Sequence, residues 1–314
     1  MNRNKFFALL TIILLCCSCD RDNYVTFSGY AQGGTYQVKA NLKGCTIGKK
    51  AIAAKIDSLL VEIDFSISGY NKNSLLSKWN AGEEITPDRH FKTLCELSED
   101  YEFMTDGAFN VKAGPVFDVW GFGFTVDSMP SADRLAIALE ESKSGKILNF
   151  NAIAQGYSCD VIAEYLKSIG IKDMLVNIGE IYCSGLNPEG KGWSIGIDTP
   201  TDGNNTPGES LSGIWESEGK SCGIVTSGNY RKFYIKDGKK YAHTIDPRTG
   251  YPVEHDLLSA TVVAPTAAQA DALATACMVM GPEDAIKFIE SYPLAEAFFI
   301  FSEGNWASEG FVLK

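Results

Sequence analysis

Leu258-Ser-Ala-Thr-Val-Val-Ala264-Pro265-Thr266-Ala-Ala-Gln269-Ala-Asp271-Ala-Leu-Ala-Thr275-Ala-Cys-Met-Val-Met280 sets an apolar strand directly before a helix. Pro265 separates the two, and Thr266 with Gln269 three residues on forms a capping-box pattern that fixes where the helix starts. Beyond it the chain reads as a second helix near Glu283 to Glu290, a strand from Ala295 to Phe301 and a strand from Gly310 to Leu313. The same order occurs upstream. Lys146 to Phe150 reads as strand, Ile153 to Ile169 as helix, and Met174 to Ile178 and Trp193 to Ile197 as strands. Two βαββ units predict an internally duplicated α+β fold.

Between the units, Lys232 to Ile235 and Lys239 to Ile245 flank Asp237-Gly238, a hairpin signal. Toward the N-terminus, Ile52, Ile56, Leu59, Leu60 and Ile63 recur at helical spacing within residues 49–65. Further helices are expected over about 91–104 and 132–140. Asp198 to Gly213, rich in Gly, Pro, Asn and Thr, reads as a long loop. Without a low-complexity linker, residues 28–314 are expected to form one domain.

Residues 1–18 have a different character. Arg3 and Lys5 precede an apolar run from Phe6 to Leu15 that ends in Cys16-Cys17-Ser18-Cys19, the layout of a secretory signal peptide. The run is shorter than the ~20 apolar residues a membrane-spanning helix needs. Cysteine directly after it predicts a bacterial lipoprotein acylated at Cys19, with Cys17 the alternative, and a tether over residues 19–27. That places the protein in the cell envelope, facing the periplasm and held to a membrane by lipid. Cys45, Cys95, Cys159, Cys183, Cys222 and Cys277 show no metal or C-x-x-C spacing, so no obligatory disulfide is expected.

With 28 Lys and Arg against 39 Asp and Glu, the 314-residue chain carries a formal charge of -11. That balance excludes a nucleic-acid binder, whose affinity comes from clustered cations. It also excludes holding an anionic ligand on a basic patch.

The candidate chemistry starts on the Thr266 helix, where Asp271 and Thr275 stand one turn apart on one face amid small residues. Together they offer hard oxygen ligands of the kind Mg²⁺ accepts; a first-turn aspartate and a packed threonine have the same pattern. In Tyr241-Ala-His243-Thr-Ile-Asp246-Pro-Arg-Thr-Gly250-Tyr-Pro252, alternation puts Tyr241, His243 and Ile245 on one face of a strand, ahead of a turn. His243 has the type of a general base and equally that of a structural histidine. His90 and His255 lie among polar residues and are expected to be solvated. Glycine turns at Gln32-Gly33-Gly34-Thr35, Thr105 to Asn110, Asn149 to Gly156 and Asn177-Ile-Gly179 let backbone N–H groups approach a ligand. None is a Walker loop or a dinucleotide fingerprint.

Taken in order, these elements resemble the ApbE-type FAD:protein FMN transferases over residues 28–313. The resemblance rests on Gln32 to Tyr36, Tyr70 to Ser74 with Asn80, Gly107 to Asn110 through Trp120-Gly-Phe-Gly123, Asn149 to Asp160, Leu175 to Gly179, His243 to Pro252 and Ala270 to Thr275. Its most specific parts are His-Thr-Ile-Asp-Pro-x-Thr-Gly and Ala-Asp-Ala-x-Ala-Thr. It implies an ApbE-like fold with the flavin and metal site between two decorated βαββ repeats. The implied reaction is Mg²⁺-dependent transfer of FMN from FAD to a Thr or Ser hydroxyl, with release of AMP. The implied acceptor is a protein with the motif D-[GA]-x-[ST]-[GA]-[AT], a subunit of a membrane redox complex. By this resemblance Asp271, Thr275 and the Ala152 carbonyl, with the Ala274 carbonyl close by, would ligate the metal. Gln32, Tyr70, Ala108, Phe109, Asn110, Asn149, Gln155 and Ile245 would contact the flavin nucleotide, and His243 would take the acceptor proton. The chain departs from the family pattern at Asn110 and Asn149, where aspartates are usual, at Gln155 in place of lysine, and at Gly179-Glu180 in place of two glycines. Two alternatives use the same site: a Mg²⁺-dependent FAD pyrophosphatase giving FMN and AMP, and a non-catalytic flavin-binding lipoprotein.

Overall fold

A computed structural model describes residues 23–123, 129–201, 204, 206, 208–230, 233–236 and 239–314. The signal segment, Cys19 and the Asp237-Gly238 turn therefore lie outside the described residues.

The chain opens with a hairpin, β1 (Tyr24–Ala31) and β2 (Gly34–Asn41). A helical stretch follows: α1 (Lys49–Ile67), α2 (Leu75–Asn80), α3 (Arg89–Met104), a 3-10 turn (Val111–Ala113), α4 (Gly114–Val119), α5 (Ala132–Lys143) and α6 (Ala154–Ser168). Next come β3 (Met174–Asn177), β4 (Ile181–Ser184), β5 (Ser194–Asp198), β6 (Leu211–Glu216), β7 (Cys222–Gly228), β8 (Phe233–Lys236), β9 (Lys239–Ala242) and β10 (Leu257–Ala264). The chain ends with α7 (Ala267–Met280), α8 (Pro282–Ser291), β11 (Glu296–Phe301) and β12 (Asn305–Ala307).

Eight strands form one antiparallel sheet in the order β1-β2-β3-β4-β7-β10-β11-β12. β10 is buried at nearly every position, which explains why its sequence is an unbroken apolar run rather than an alternating one. Its two faces serve different layers. Ala260, Val262 and Ala264 join the cluster formed with α7 and α8, while Val263 joins Trp193, Ile195 and Trp215. The helices thus cover one face of the sheet, and the β5–β6 ribbon covers the other.

The duplication is real, but its first half begins elsewhere than the sequence suggests. Each half is a four-strand set, β1-β2-β3-β4 and β7-β10-β11-β12, in which helices leave the second strand and return to the third. The counterpart of β10 is β2, with residues 42–153 inserted before α6. Residues 146–150, expected as that strand, pair with no strand. Leu148 instead exchanges two hydrogen bonds of 2.9 Å with the Asn80 side chain, and Asn149 N–H donates to Val111 O at 2.8 Å. β4 takes the place expected for residues 193–197, which belong to the covering ribbon. At the C-terminus the strand is Asn305–Ala307, and residues 310–313 contribute only a bridge from Leu313 to Trp215. Within the expected tether, Tyr24 to Phe27 belong to β1, and Tyr24 to Ser28 pair with Asn41 to Gln37.

The expected helices all form, over 49–67, 89–104 and 132–143. Two histidine expectations do not hold. His90 is buried, with Nδ1 2.8 Å from Tyr157 OH, and His255 is part-buried, with Nε2 2.9 Å from Met278 O. The six cysteines of the domain are free thiols, although Cys183 and Cys222 face each other across β4 and β7 with 3.8 Å between sulfurs.

Candidate active site

A cavity of about 830 Å³ opens where α6 and α7 begin, within the size range of ligand sites. Its floor is made by the two helices. Asn149, Ala152 and Gln155 come from the entry to α6, and Asp271 and Thr275 come from the first turns of α7. Small residues let the helices approach closely. A Cβ on Gly156 would lie 2.3 Å from the Ala267 carbonyl oxygen, and one on Gly223 of β7, against which the α7 start also packs, would lie 2.3 Å from Ala267 Cα. Only glycine allows this contact.

Asp271 is buried, and its Oδ2 accepts from Gly156 N–H at 3.1 Å. Burial is the main cause that raises its pKa to about 7; the Gly156 bond opposes the rise, and nearby Asp160 adds to it. No cationic side chain contributes. A buried carboxylate without a counter-cation, next to the Thr275 hydroxyl, suits a hard divalent ion. Among the described residues no three His, Cys, Asp or Glu cluster as a ready metal cage. Mg²⁺ takes only one or two carboxylates and completes its shell with water and substrate phosphate. Ala274 is fully buried on the core side of α7 and does not line the cavity.

The capping box forms by half. Thr266 Oγ1 accepts from Gln269 N–H at 3.1 Å, but the Gln269 amide donates to Tyr292 OH at 2.5 Å instead of returning to Thr266.

His243 also lines the cavity, half-buried, with its ring 6.2 Å from that of Phe122. The expected strand stops at Ala242, so Tyr241 and His243 do not continue one strand face: Tyr241 packs on Trp120 at 6.1 Å, and His243 follows in a bend. Residues after it hold the loop. Asp246 O accepts from Gly250 N–H at 2.8 Å, Asp246 Oδ1 accepts from Arg248 N–H at 2.9 Å, and Trp120 Nε1 donates to Gly250 O at 2.8 Å. Gly250 has φ 78°, which favours glycine there. The Asp-Pro-x-Thr-Gly pattern is thus the frame that positions His243. Ile245 is 1% exposed and contributes the cavity wall above Trp120 and Val116.

The remaining expected flavin contacts divide. Tyr70, 71% exposed at the mouth, accepts at its OH from Asn151 Nδ2 at 3.2 Å. Ala108 and Phe109 line the cavity, yet Phe109 is 1% exposed with its ring edge-on to Tyr101. Aromatic surface at the cavity therefore comes from Tyr70, Phe117 and Phe122. Asn110 Oδ1 accepts from Lys112 N–H at 2.8 Å, and its Nδ2 donates to Glu102 Oε1 at 3.1 Å. An aspartate there would face Glu102, so the amide is the locally consistent choice. Asn149 Oδ1 likewise accepts from Asn151 N–H at 2.9 Å. Gln155 packs against Gly179, where a Cβ would approach its amide to 2.7 Å. Gln32 stands outside the cavity lining: it bonds to Ser158 Oγ on α6, and its Oε1 is buried without a partner.

The sequence reading did not count Thr226, Ser227, Phe117, Phe122 and Glu180 among the site residues, although all of them line the cavity. Ser227 Oγ is 3.5 Å from Thr275 Oγ1. The available signal was Thr226-Ser-Gly-Asn-Tyr230, a small polar end to an apolar strand.

A duplicated antiparallel sheet whose halves both supply residues to one cleft, lined by a buried carboxylate and a half-buried histidine, defines a ligand-binding enzyme of the α+β class. The sequence profile of the ApbE family matches residues 32–299, and the chain belongs to that family. It is 32% identical to the FAD:protein FMN transferase of Haemophilus influenzae, over 97% of this chain and 93% of that protein. It is 31% identical to that of Escherichia coli K12, over 97% and 95%. Its fold superposes on the flavin transferase ApbE from Vibrio cholerae with a TM-score of 0.81 at 30% identity, covering 92% of this chain and 99% of that one. The apo flavinyl transferase ApbE of Pseudomonas stutzeri gives 0.79 at 30% identity, over 91% and 95%.

Proposed function

We propose that this chain is a Mg²⁺-dependent FAD:protein FMN transferase acting on a Thr or Ser hydroxyl of a target protein. The enzyme is a transferase of FMN from FAD, as its relatives' names state for them. The observation that carries the mechanistic reading is that His243 and the Asp271–Thr275 pair, far apart in sequence, line one cavity with Tyr70, Asn149 and Gln155.

FAD lies with its isoalloxazine toward Tyr70 and its pyrophosphate toward α7. Asp271, Thr275 and the Ala152 carbonyl would hold Mg²⁺, which when bound would supply positive charge to offset that developing on the pyrophosphate. The acceptor oxygen attacks the FMN phosphorus as His243 takes its proton. The new P–O bond forms as the bond to the AMP phosphate breaks, and AMP leaves. With no basic patch, positioning and electrostatics supply the catalysis.

The acceptor carries the motif D-[GA]-x-[ST]-[GA]-[AT] within a membrane redox complex. The enzyme faces the periplasm on a lipid attached at Cys19, shortly before β1; the positive start, apolar run and cysteine of residues 1–19 support this. Among the described residues no helix is long and apolar enough to cross a membrane.

The test is incubation of the protein with FAD, Mg²⁺ and an acceptor bearing the motif. A covalently fluorescent acceptor plus AMP is expected. FMN plus AMP without labelling would replace transfer by hydrolysis, and unchanged FAD would leave binding alone.

A further inference from the structure

Asp160 belongs to neither the metal set nor the flavin wall, yet its part-buried carboxylate has a specific task. From the middle of α6, Oδ1 accepts from Ala267 N–H and Oδ2 from Ala268 N–H, each at 2.8 Å. These are the first two N–H groups of α7, and Thr266 Oγ1 takes the third at Gln269. One turn earlier on α6, Gly156 N–H donates to Asp271 Oδ2. The two helices therefore exchange carboxylates. Asp160 of α6 caps α7, and Asp271 of α7 receives the early N–H of α6.

Two consequences follow from this geometry. The first N–H donors of α7 are filled from within the protein, by Asp160 and Thr266, so this helix start is not an anion cradle of the usual kind. The carboxylate exchange also lies beside the proposed metal site, whose ligands come from either side of the contact: Ala152 from the α6 entry and Asp271 and Thr275 from α7. We propose that Asp160 is a positioning residue for the Mg²⁺ site. By holding the first turn of α7 against α6, it sets the distance between the ligands of one half and those of the other. This inference rests on the Mg²⁺ reading above.

Its test uses the full chain loaded with FAD, without acceptor protein, and titrated with Mg²⁺ in a calorimeter. Asp160→Asn keeps the side-chain shape but turns an NH₂ toward an N–H. The Mg²⁺ dissociation constant should rise tenfold or more; in a separate transfer assay with acceptor, the FAD KM should change little and kcat should recover as Mg²⁺ is raised. Thr266→Ala serves as the structural control. It removes a cap from the same helix end, so it should lower the melting temperature without moving the Mg²⁺ constant. An unchanged Mg²⁺ constant in Asp160→Asn, or an equal rise in Thr266→Ala, overturns the proposal. Should Asp160→Asn not fold, Asp160→Glu, which keeps both acceptors but pushes α7 away, carries the test: weaker Mg²⁺ binding is expected, and wild-type binding overturns the proposal. Absence of Mg²⁺ binding by the wild-type chain would instead remove the metal reading itself, and the proposal with it.

Discussion

Replacing Gly156 by alanine adds one methyl group at the tightest point of the site. The new Cβ would lie 2.3 Å from the Ala267 oxygen, 2.6 Å from its carbonyl carbon and 2.9 Å from Ala268 Cα, all of them backbone atoms that no rotamer change relieves. Reaching ordinary contact, from 3.4 Å upward, requires α6 and α7 to part by about 1 Å. Overpacking of this kind costs about 1–3 kcal/mol. For a domain of this size each kcal/mol lowers Tm by roughly 2–4 °C, so a fall of about 2–12 °C is expected. The same displacement stretches the 3.1 Å bond from Gly156 N–H to Asp271 past hydrogen-bonding distance. A misplacement near 1 Å in a reacting site costs about 100-fold in rate. FMN transfer to an acceptor peptide, followed by in-gel flavin fluorescence, together with a melting curve, reads both effects. A variant with wild-type Tm and transfer rate would refute the account of α6–α7 contact as the determinant of site geometry.

Three further outcomes are expected. His243→Ala should leave FAD binding near wild type by fluorescence titration and abolish transfer; labelling at the wild-type rate would remove the base assignment. Asp271→Ala should lose Mg²⁺-stimulated activity, and an unaltered Mg²⁺ dependence would remove the ligand assignment. His90 has its pKa lowered, first by burial and then by neighbouring Arg89, against the opposing pull of Asp88 and Glu62. The unfolded chain therefore takes the proton first, so the contribution of His90 is whole above pH ~6.5 and declines as pH falls toward its lower folded value. His90→Gln, which retains a partner for Tyr157, should lose less stability than wild type between pH 7.5 and 5.5 in urea titrations; identical losses would count against it.

Legibility differed by the kind of force involved. Helices α1, α3, α5, α6 and α7 were readable because apolar spacing and caps are local, and β10 because burial on both faces leaves an unbroken run. Residues 146–150 look like a strand by composition, but their partner is the Asn80 side chain, a contact no local pattern encodes. The first repeat was displaced for the same reason: the insertion over 42–153 separates β2 from the helix that completes its unit. In the site, His243, Asp271 and Thr275 were legible as motifs. The role of Asp246 to Gly250 as a frame, the burial of the Phe109 ring and the position of Gln32 on Ser158 depend on tertiary contacts. His90 was misjudged because Tyr157, its partner, is remote in sequence.

The seam between the two halves is short: β4 meets β7 through three residue pairs, Ile181 with Ile224, Tyr182 with Gly223 and Cys183 with Cys222. The cavity is lined by Asn149 and Gln155 on one side and Asp271 and Thr275 on the other, so a ligand that fills it contacts both sides of the α6–α7 junction and requires the folded arrangement. Occupancy and folding are then linked by mass action. At a free FAD concentration one hundred times its Kd, the folded form gains ~2.7 kcal/mol over the unfolded chain. On the site assignment proposed above, bound substrate would act as a reversible clasp across the duplication, shifting the folding equilibrium in step with its occupancy.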